Sequence, residues 1–184
     1  MKIILFLDKI RFRLFGRLMN HISAFRYMNK YVKHLKRLGV NINGMPNYIS
    51  PDAYFDSHFY SCITLENDCV ISKEVMLLTH DYSIARGVQC VSGKTWDEKG
   101  GTPHFVGKIH IGENTFIGAR VLLLPNTFIG NNCIIGAGSV VKGKIEDNSI
   151  VVGNPAKVIA KTDEWAKKHI ERQDYLTVLG GDNA

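Results

Sequence analysis

The sequence predicts an all-β body wound as a coil of six-residue repeats, with a basic helical arm before it and a short helix after it. Three observations carry this. From Ile111 to Val141 the chain divides into IGENTF, IGARVL, LLPNTF, IGNNCI and IGAGSV. An aliphatic residue opens each block (Ile111, Ile117, Leu123, Ile129, Ile135, then Val141), and a small or β-branched residue stands four later (Thr115, Val121, Thr127, Cys133, Ser139). Consecutive matches at a fixed period mark a repeat architecture. Second, the first 40 residues hold ten Lys and Arg against one acid, Asp8, whereas the rest of the chain holds thirteen basic and sixteen acidic residues. Third, residues 83–104 carry no six-residue rail and are punctuated by Gly87, Gly93, Gly100, Gly101 and Pro103.

A block of six is too short and too Gly-rich for a useful helix, and it suits a short strand with a turn. The opener points into an apolar prism, and the small residue fits beneath the next coil. Gly after the opener suits a corner where the backbone turns without a Cβ. Three blocks close one triangular coil, which cannot bury its own apolar rail and so must stack. The chain divides into an arm over 1–40, a coil over 41–160 with an insertion at 83–104, and a helix and tail over 161–184.

In chain order, residues 2–38 read as one or two amphipathic helices. Ile3, Ile4, Leu7, Ile10, Leu14 and Leu18 recur at spacings of three and four. Gly16 or the Asn20–His21 region is the expected break, and Gly39 the expected stop, with Lys36 and Arg37 in the last turn. The arm reads either as a cap on the first coil or as an interfacial helix lying on an anionic membrane through residues 1–37. Basic residues set among bulky aliphatics, ahead of an acidic body, argue against nucleic acid. Ile3 to Leu7 is too short for a signal peptide, and no stretch approaches the length of a span. Residues 41–52 are turn-rich. Weaker blocks then open at Ala53, Phe59, Leu65, Ile71 and Leu77, and the rail resumes at Phe105. Thr162 or Asp163 is the expected cap of a last helix, and residues 177–184 are expected to fray. The four cysteines (Cys62, Cys69, Cys90, Cys133) show no metal spacing. Cys69 and Cys133 fall on the small-residue rail, as in a reduced cytoplasmic protein.

The blocks, together with the terminal GNPAKVI (Gly153 to Ile159), resemble the hexapeptide-repeat acyltransferases, in the pattern of the maltose and galactoside O-acetyltransferases and the bacterial polysaccharide O-acetyltransferases. The resemblance covers roughly residues 50–160. It implies a left-handed parallel β-helix, an active homotrimer, and acetyl-CoA as co-substrate with no metal. It also implies a saccharide hydroxyl as acceptor, in a surface polysaccharide or its lipid-linked precursor. The insertion is expected to project beside the active site.

His80, in LLTHDYS, stands where the coil gives way to the insertion. The resemblance makes it the general base. An imidazole within hydrogen-bond reach can take the proton of a poorly nucleophilic hydroxyl as oxygen attacks the thioester. Asp81, next in sequence, would point to the other face. Asp52, Asp56 and Tyr82 are the candidates for the acceptor side, with orientation of His80 an alternative role for the two aspartates. The resemblance places coenzyme A against Phe116, Ala119, Ala137, Lys142 and Lys157. Phe116 stands where the galactoside type has Trp, and the Thr-Lys pair of that family is not intact around Lys142. Two readings stay open. His58, His80, His104 and His110 are candidate ligands for a γ-carbonic-anhydrase-like zinc enzyme, and a trimeric scaffold without catalysis is the other.

Overall fold

A computed structural model describes residues 2–95 and 101–177. Side chains of residues 2–9 and 13 lie outside the description, as does the tail from 178 onward that was expected to fray. Helix α1 (Lys2–Ile22) meets α2 (Ala24–Leu38) at Ser23, not at Gly16 or Asn20–His21. Ser23 is extended, and its hydroxyl accepts from the Arg26 N–H, so it ends one helix by capping the next. Gly16 stays helical because the arm approaches the coil there. A Cβ would stand 3.1 Å from the Pro51 Cβ. Gly39 closes α2 in the left-handed region, at φ 108°.

The first coil holds β1 (Asn41–Ile42), β2 (Tyr48–Ile49) and β3 (Tyr54–Phe55), and the second β4 (Ile63–Leu65), β5 (Val70–Ile71) and β6 (Met76–Leu77). The insertion follows, with β7 (His80–Asp81), α3 (Ser83–Ser92) and β8 (Phe105–Val106). Winding resumes with β9 (Ile109–Ile111), β10 (Phe116–Ile117) and β11 (Leu122–Ile129), then β12 (Ile134–Ile135) and β13 (Val140–Ile145). A hairpin of β14 (Ser149–Gly153) and β15 (Ala156–Lys161) and the helix α4 (Thr162–Arg172) end it.

The pairings define three parallel faces. The first runs Asn41, Thr64, His110, Phe128, Lys144. The second runs Tyr48, Val70, Phe116, Ile134, Ile150. The third runs Tyr54, Met76, Leu122, Val140. Strands β11 and β13 bend from the third face onto the first. Both predicted rails point inward: Ile111, Ile117, Leu123, Ile129, Ile135 and Val141 are buried, and so are Thr115, Val121, Thr127, Cys133 and Ser139.

Several expectations are corrected. The first coil buries Ile42, Ile49 and Phe55, not Ala53 and Phe59. Residues 41–52, turn-rich in sequence, hold β1 and β2 of this coil. Its spacing departs from six because α2 covers it, through Tyr27, Met28, Tyr31 and Leu35. Phe105 is half-exposed and pairs antiparallel with Asp81, so the rail resumes at Ile109 and Ile111. The insertion contains a helix rather than bare loop. Finally, neither Thr162 nor Asp163 caps α4 with its own side chain. Asn148, one coil below, accepts from the Asp163 N–H at 2.9 Å and donates to its carboxylate at 2.7 Å.

The glycines that follow the openers serve stacking rather than turning. The left-handed corners fall three residues after the inward opener, at Asp68, Glu74, Asn114, Arg120, Asn126, Asn132 and Gly138. A Cβ on Gly118 would instead stand 2.7 Å from the Ala137 nitrogen and the Ile135 carbonyl of the next coil. Gly118→Ala is therefore expected to cost about 1–3 kcal/mol by overpacking, read as a lowered Tm with unchanged secondary structure.

Candidate active site

The corner after β6 breaks the pattern of its neighbours. His80 stands three residues after the buried opener Leu77, the place Asn126 takes after Leu123 one coil later. The chain leaves the prism there instead of turning onto the first face. Strand β8 brings it back, and the Gly107 N–H donates to the Thr79 carbonyl at 2.8 Å. His80 is thus held at the edge between the third and first faces, with its side chain 20% exposed.

Its partner comes from the coil below. Asp56 is fully buried and accepts from the Thr79 N–H at 3.0 Å, the Thr79 hydroxyl at 2.7 Å and the His58 N–H at 3.4 Å. Its Oδ2 is also bonded to His80 Nδ1. Burial alone would push the Asp56 carboxyl up. The bonds from Thr79, His80 and His58 outweigh it and hold the group below the ordinary carboxylate range. An ionised carboxylate against Nδ1 makes that nitrogen the N–H donor and leaves Nε2 as the basic nitrogen.

Rings enclose the imidazole. Tyr82 lies 5.1 Å from it edge-on, Phe59 5.8 Å, His58 5.9 Å and His104 6.3 Å, centroid to centroid. His104 is fixed in turn by Nδ1 donating to the Thr102 carbonyl at 3.0 Å.

The structure sorts the expected residues. Tyr82 lies beside His80. Of the two roles open to Asp56, its place is that of the orienting one and not the acceptor side: with no exposed surface, it sits behind the imidazole. Asp52 is drawn away to Arg17 of α1, at 2.5 Å, and joins arm to coil. Asp81 faces away and accepts from the Ser83 N–H at 2.8 Å. That bond holds its carboxyl low. Lys142 follows Val141 where β13 bends from the third face onto the first, which places it at the His80 edge. Ala119 and Ala137 line a separate groove of about 460 Å³ with Lys73, Glu74, Arg120 and Gly138, at the edge between the second and third faces. Phe116, half-exposed on the second face, and Lys157, exposed on β15, are not among its lining residues. His58, His80 and His104 come together, but His110 lies on the first face with Nδ1 3.9 Å from Glu66. Among the described residues no group of three or more His, Cys, Asp or Glu is placed to hold a metal.

Phe59 and Thr79 were missed as site residues, and His58 and His104 were met only as metal candidates. Nothing local marks them, since they converge through stacking and the insertion. Lys73 and Arg120 carried a readable signal, because each stands beside or at a left-handed corner position of the repeat.

A family model described as bacterial transferase hexapeptide (six repeats) matches residues 108–143. A putative acetyltransferase of Staphylococcus aureus is 53% identical over 57 residues, 31% of this chain and 29% of that protein. The putative lipopolysaccharide biosynthesis O-acetyl transferase WbbJ of Escherichia coli is 30% identical over 105 residues, 57% of this chain and 53% of that protein. The chain thus spans about half the length, or less, of these curated relatives. Among solved structures, galactoside acetyltransferase in complex with coenzyme A aligns with TM-score 0.55 and 21% identity, over 89% of this chain and 84% of that one. A hexapeptide-repeat acetyltransferase of Vibrio cholerae complexed with acetyl coenzyme A aligns with TM-score 0.54 and 16% identity, over 83% and 84%. The chain carries hexapeptide repeats over residues 108–143, and it is similar over part of its sequence to a putative O-acetyl transferase and in fold to hexapeptide-repeat acetyltransferases.

Proposed function

We propose that this chain transfers an acetyl group from acetyl-CoA to a saccharide hydroxyl, with His80 as general base, on a coil of left-handed winding. The observation that carries the reading is the buried Asp56–His80 pair at the edge of the coil. The chain divides into the arm over 1–40, the transferase coil over 41–160 with its insertion at 83–104, and the C-terminal segment over 161–184.

The chemistry follows from the pair. Asp56 fixes the ring through Nδ1, so Nε2 accepts the acceptor's hydroxyl proton as its oxygen attacks the thioester carbonyl carbon. The tetrahedral intermediate collapses with cleavage of the C–S bond. The proton on Nε2 then passes to the departing thiolate. No covalent enzyme intermediate is needed. Tyr82, Phe59 and His104 offer ring faces and edges that suit a sugar beside the imidazole. A polysaccharide or lipid-linked oligosaccharide acceptor is supported by the similarity to the lipopolysaccharide O-acetyl transferase.

The placement of the groove argues for three copies. Ala119, Ala137 and Arg120 line one edge of the third face, while His80 and Lys142 occupy the other. Between them the outward row holds Tyr54 and Met76, both exposed, with Leu122 and Val140 half-buried. An apolar face set between two half-sites is what a threefold assembly needs. One copy's groove then meets its neighbour's His80, and coenzyme A lies in the seam. Lys73 and Arg120 supply cations for its phosphates, and Glu74 holds Arg120 in place at 2.7 Å.

Titration of acetyl-CoA into the metal-stripped chain by calorimetry tests this. Micromolar affinity is expected, and Arg120→Ala is expected to weaken it roughly tenfold, the worth of one charge-assisted hydrogen bond. Absence of binding by the unmodified chain would contradict the proposal.

A further inference from the structure

The arm caps the coil with only one of its faces. Phe12 is buried against Tyr27 and Tyr31, with ring centroids 6.5 and 5.1 Å away. Asn20 donates to the Tyr48 hydroxyl at 2.9 Å, and Gly16 closes on Pro51. On the side of α1 away from Phe12 and Gly16, a second apolar stripe faces outward: Ile10, Leu14, Phe15, Leu18 and Ile22, with Phe25 exposed just past the Ser23 break. Leu14 is 66% exposed, Ile22 71% and Phe25 78%. Within α1 these residues fall at spacings of one, three and four, so they form one continuous surface along that helix, and Phe25 is exposed just beyond its end. Exposed apolar surface of this extent marks an interaction site.

The charge around it selects the partner. Exposed Arg11 lies within the stripe, and exposed Arg26 and Lys30 follow Phe25. Residues 9–40 contain no Asp or Glu at all. A second copy laid on this face would bring the same cations against themselves. A surface that is anionic outside and apolar beneath matches both properties together. No helix among the described residues is long and apolar enough to cross a membrane, so the stripe lies on a bilayer rather than through it.

We infer that this chain docks on anionic lipid bilayers through the outer stripe of α1 and the start of α2, with Leu14, Phe15, Leu18, Ile22 and Phe25 entering the interface and Arg11, Arg26 and Lys30 meeting the headgroups. The inference is independent of acetyl transfer. It explains why a helix already satisfied as a cap carries a second apolar face, and it orients the first coil toward the bilayer.

The test is flotation of the full chain with vesicles of phosphatidylcholine containing about a third phosphatidylglycerol, against pure phosphatidylcholine. Binding to the anionic vesicles is expected, weakening but not vanishing at high salt, where only the electrostatic part is screened. The double variant Leu18→Ser, Ile22→Ser removes two of the apolar side chains and is expected to lower partitioning at least roughly tenfold. Arg11→Gln with Arg26→Gln is expected to lower it roughly tenfold or more on anionic vesicles and little on neutral ones. Thermal unfolding of each variant checks the fold. Three results would overturn the inference: no binding by the unmodified chain, equal binding by the folded serine variant, or a serine variant that changes oligomeric state while vesicle binding stays the same. The last would show that another copy covers the stripe.

Discussion

On the proposed reading, His80→Ala is expected to cripple acetyl transfer and to leave acetyl-CoA affinity in place. The expected loss in kcat is about 10²- to 10⁴-fold, the usual worth of a positioned general base. Removing the imidazole takes away the group at this edge that is braced from behind by a buried carboxylate and still partly open to substrate. The KM for acetyl-CoA is expected to stay within about threefold, because in the proposed seam the cofactor is held by the groove of Ala119, Ala137, Lys73 and Arg120 and not by the imidazole. Stability changes little, since His80 is partly exposed and not part of the apolar prism. Steady-state kinetics with a calorimetric titration of the same variant separates the two effects. A large loss of cofactor affinity at unchanged kcat would place His80 in binding rather than in proton transfer.

Asp56→Asn produces a nearly equal loss by a different route. The amide is close in shape to the carboxylate but carries no charge. It can donate to Nδ1, which turns the ring to the tautomer with the proton on Nε2, where it cannot act as base. A kcat lower by about 10²-fold or more is expected, with a folded protein. Asp56→Ala goes further and leaves the Thr79 N–H and hydroxyl without their buried partner. Each orphaned group costs about 1–3 kcal/mol, so this variant is expected to lower Tm markedly. The pH dependence of stability has a definite sign. The folded Asp56 carboxyl titrates below its ordinary value. Its stabilising contribution is therefore complete above the unfolded carboxylate pKa of about 4 and is lost as pH falls through the lower folded value. Tm measured from neutral to acid pH should fall over that range, and less steeply in Asp56→Asn. Equal slopes would mean that Asp56 is not the ionised group the geometry describes.

The repeat made the prism legible because its period is local. An opener and the residue four later decide which side chains face inward, and Leu65 through Val141 obey that rule once the insertion is set aside. The first coil was not legible. Ile42, Ile49 and Phe55 are seven and six apart, and ten residues then separate Phe55 from Leu65. A helical cap, not a neighbouring coil, covers that end and relaxes the spacing. This is also why the sequence leaves Asp56 between the acceptor side and the orientation of His80. Its contact with His80 joins residues 24 apart, and only the true register of the first coil sets them together. The corner glycines taught a related lesson. A conserved-looking IG pair suggested a turn, while the left-handed turn itself falls two residues further on and is filled by Asn, Asp, Glu and Arg as well as Gly. Asn and Asp tolerate that backbone by bonding locally. Glu74 and Arg120 do not have that help, and their ion pair across successive coils accompanies the groove.

The most direct test is to incubate the metal-stripped full chain with acetyl-CoA and a panel of saccharides, following free thiol and the acetylated product together. The account predicts thiol release matched one for one by an O-acetylated sugar, present in the unmodified chain and absent in His80→Ala. Thiol release that persists in His80→Ala, or acetyl-CoA left intact with every hydroxyl acceptor while activity appears only when zinc is restored, would contradict it.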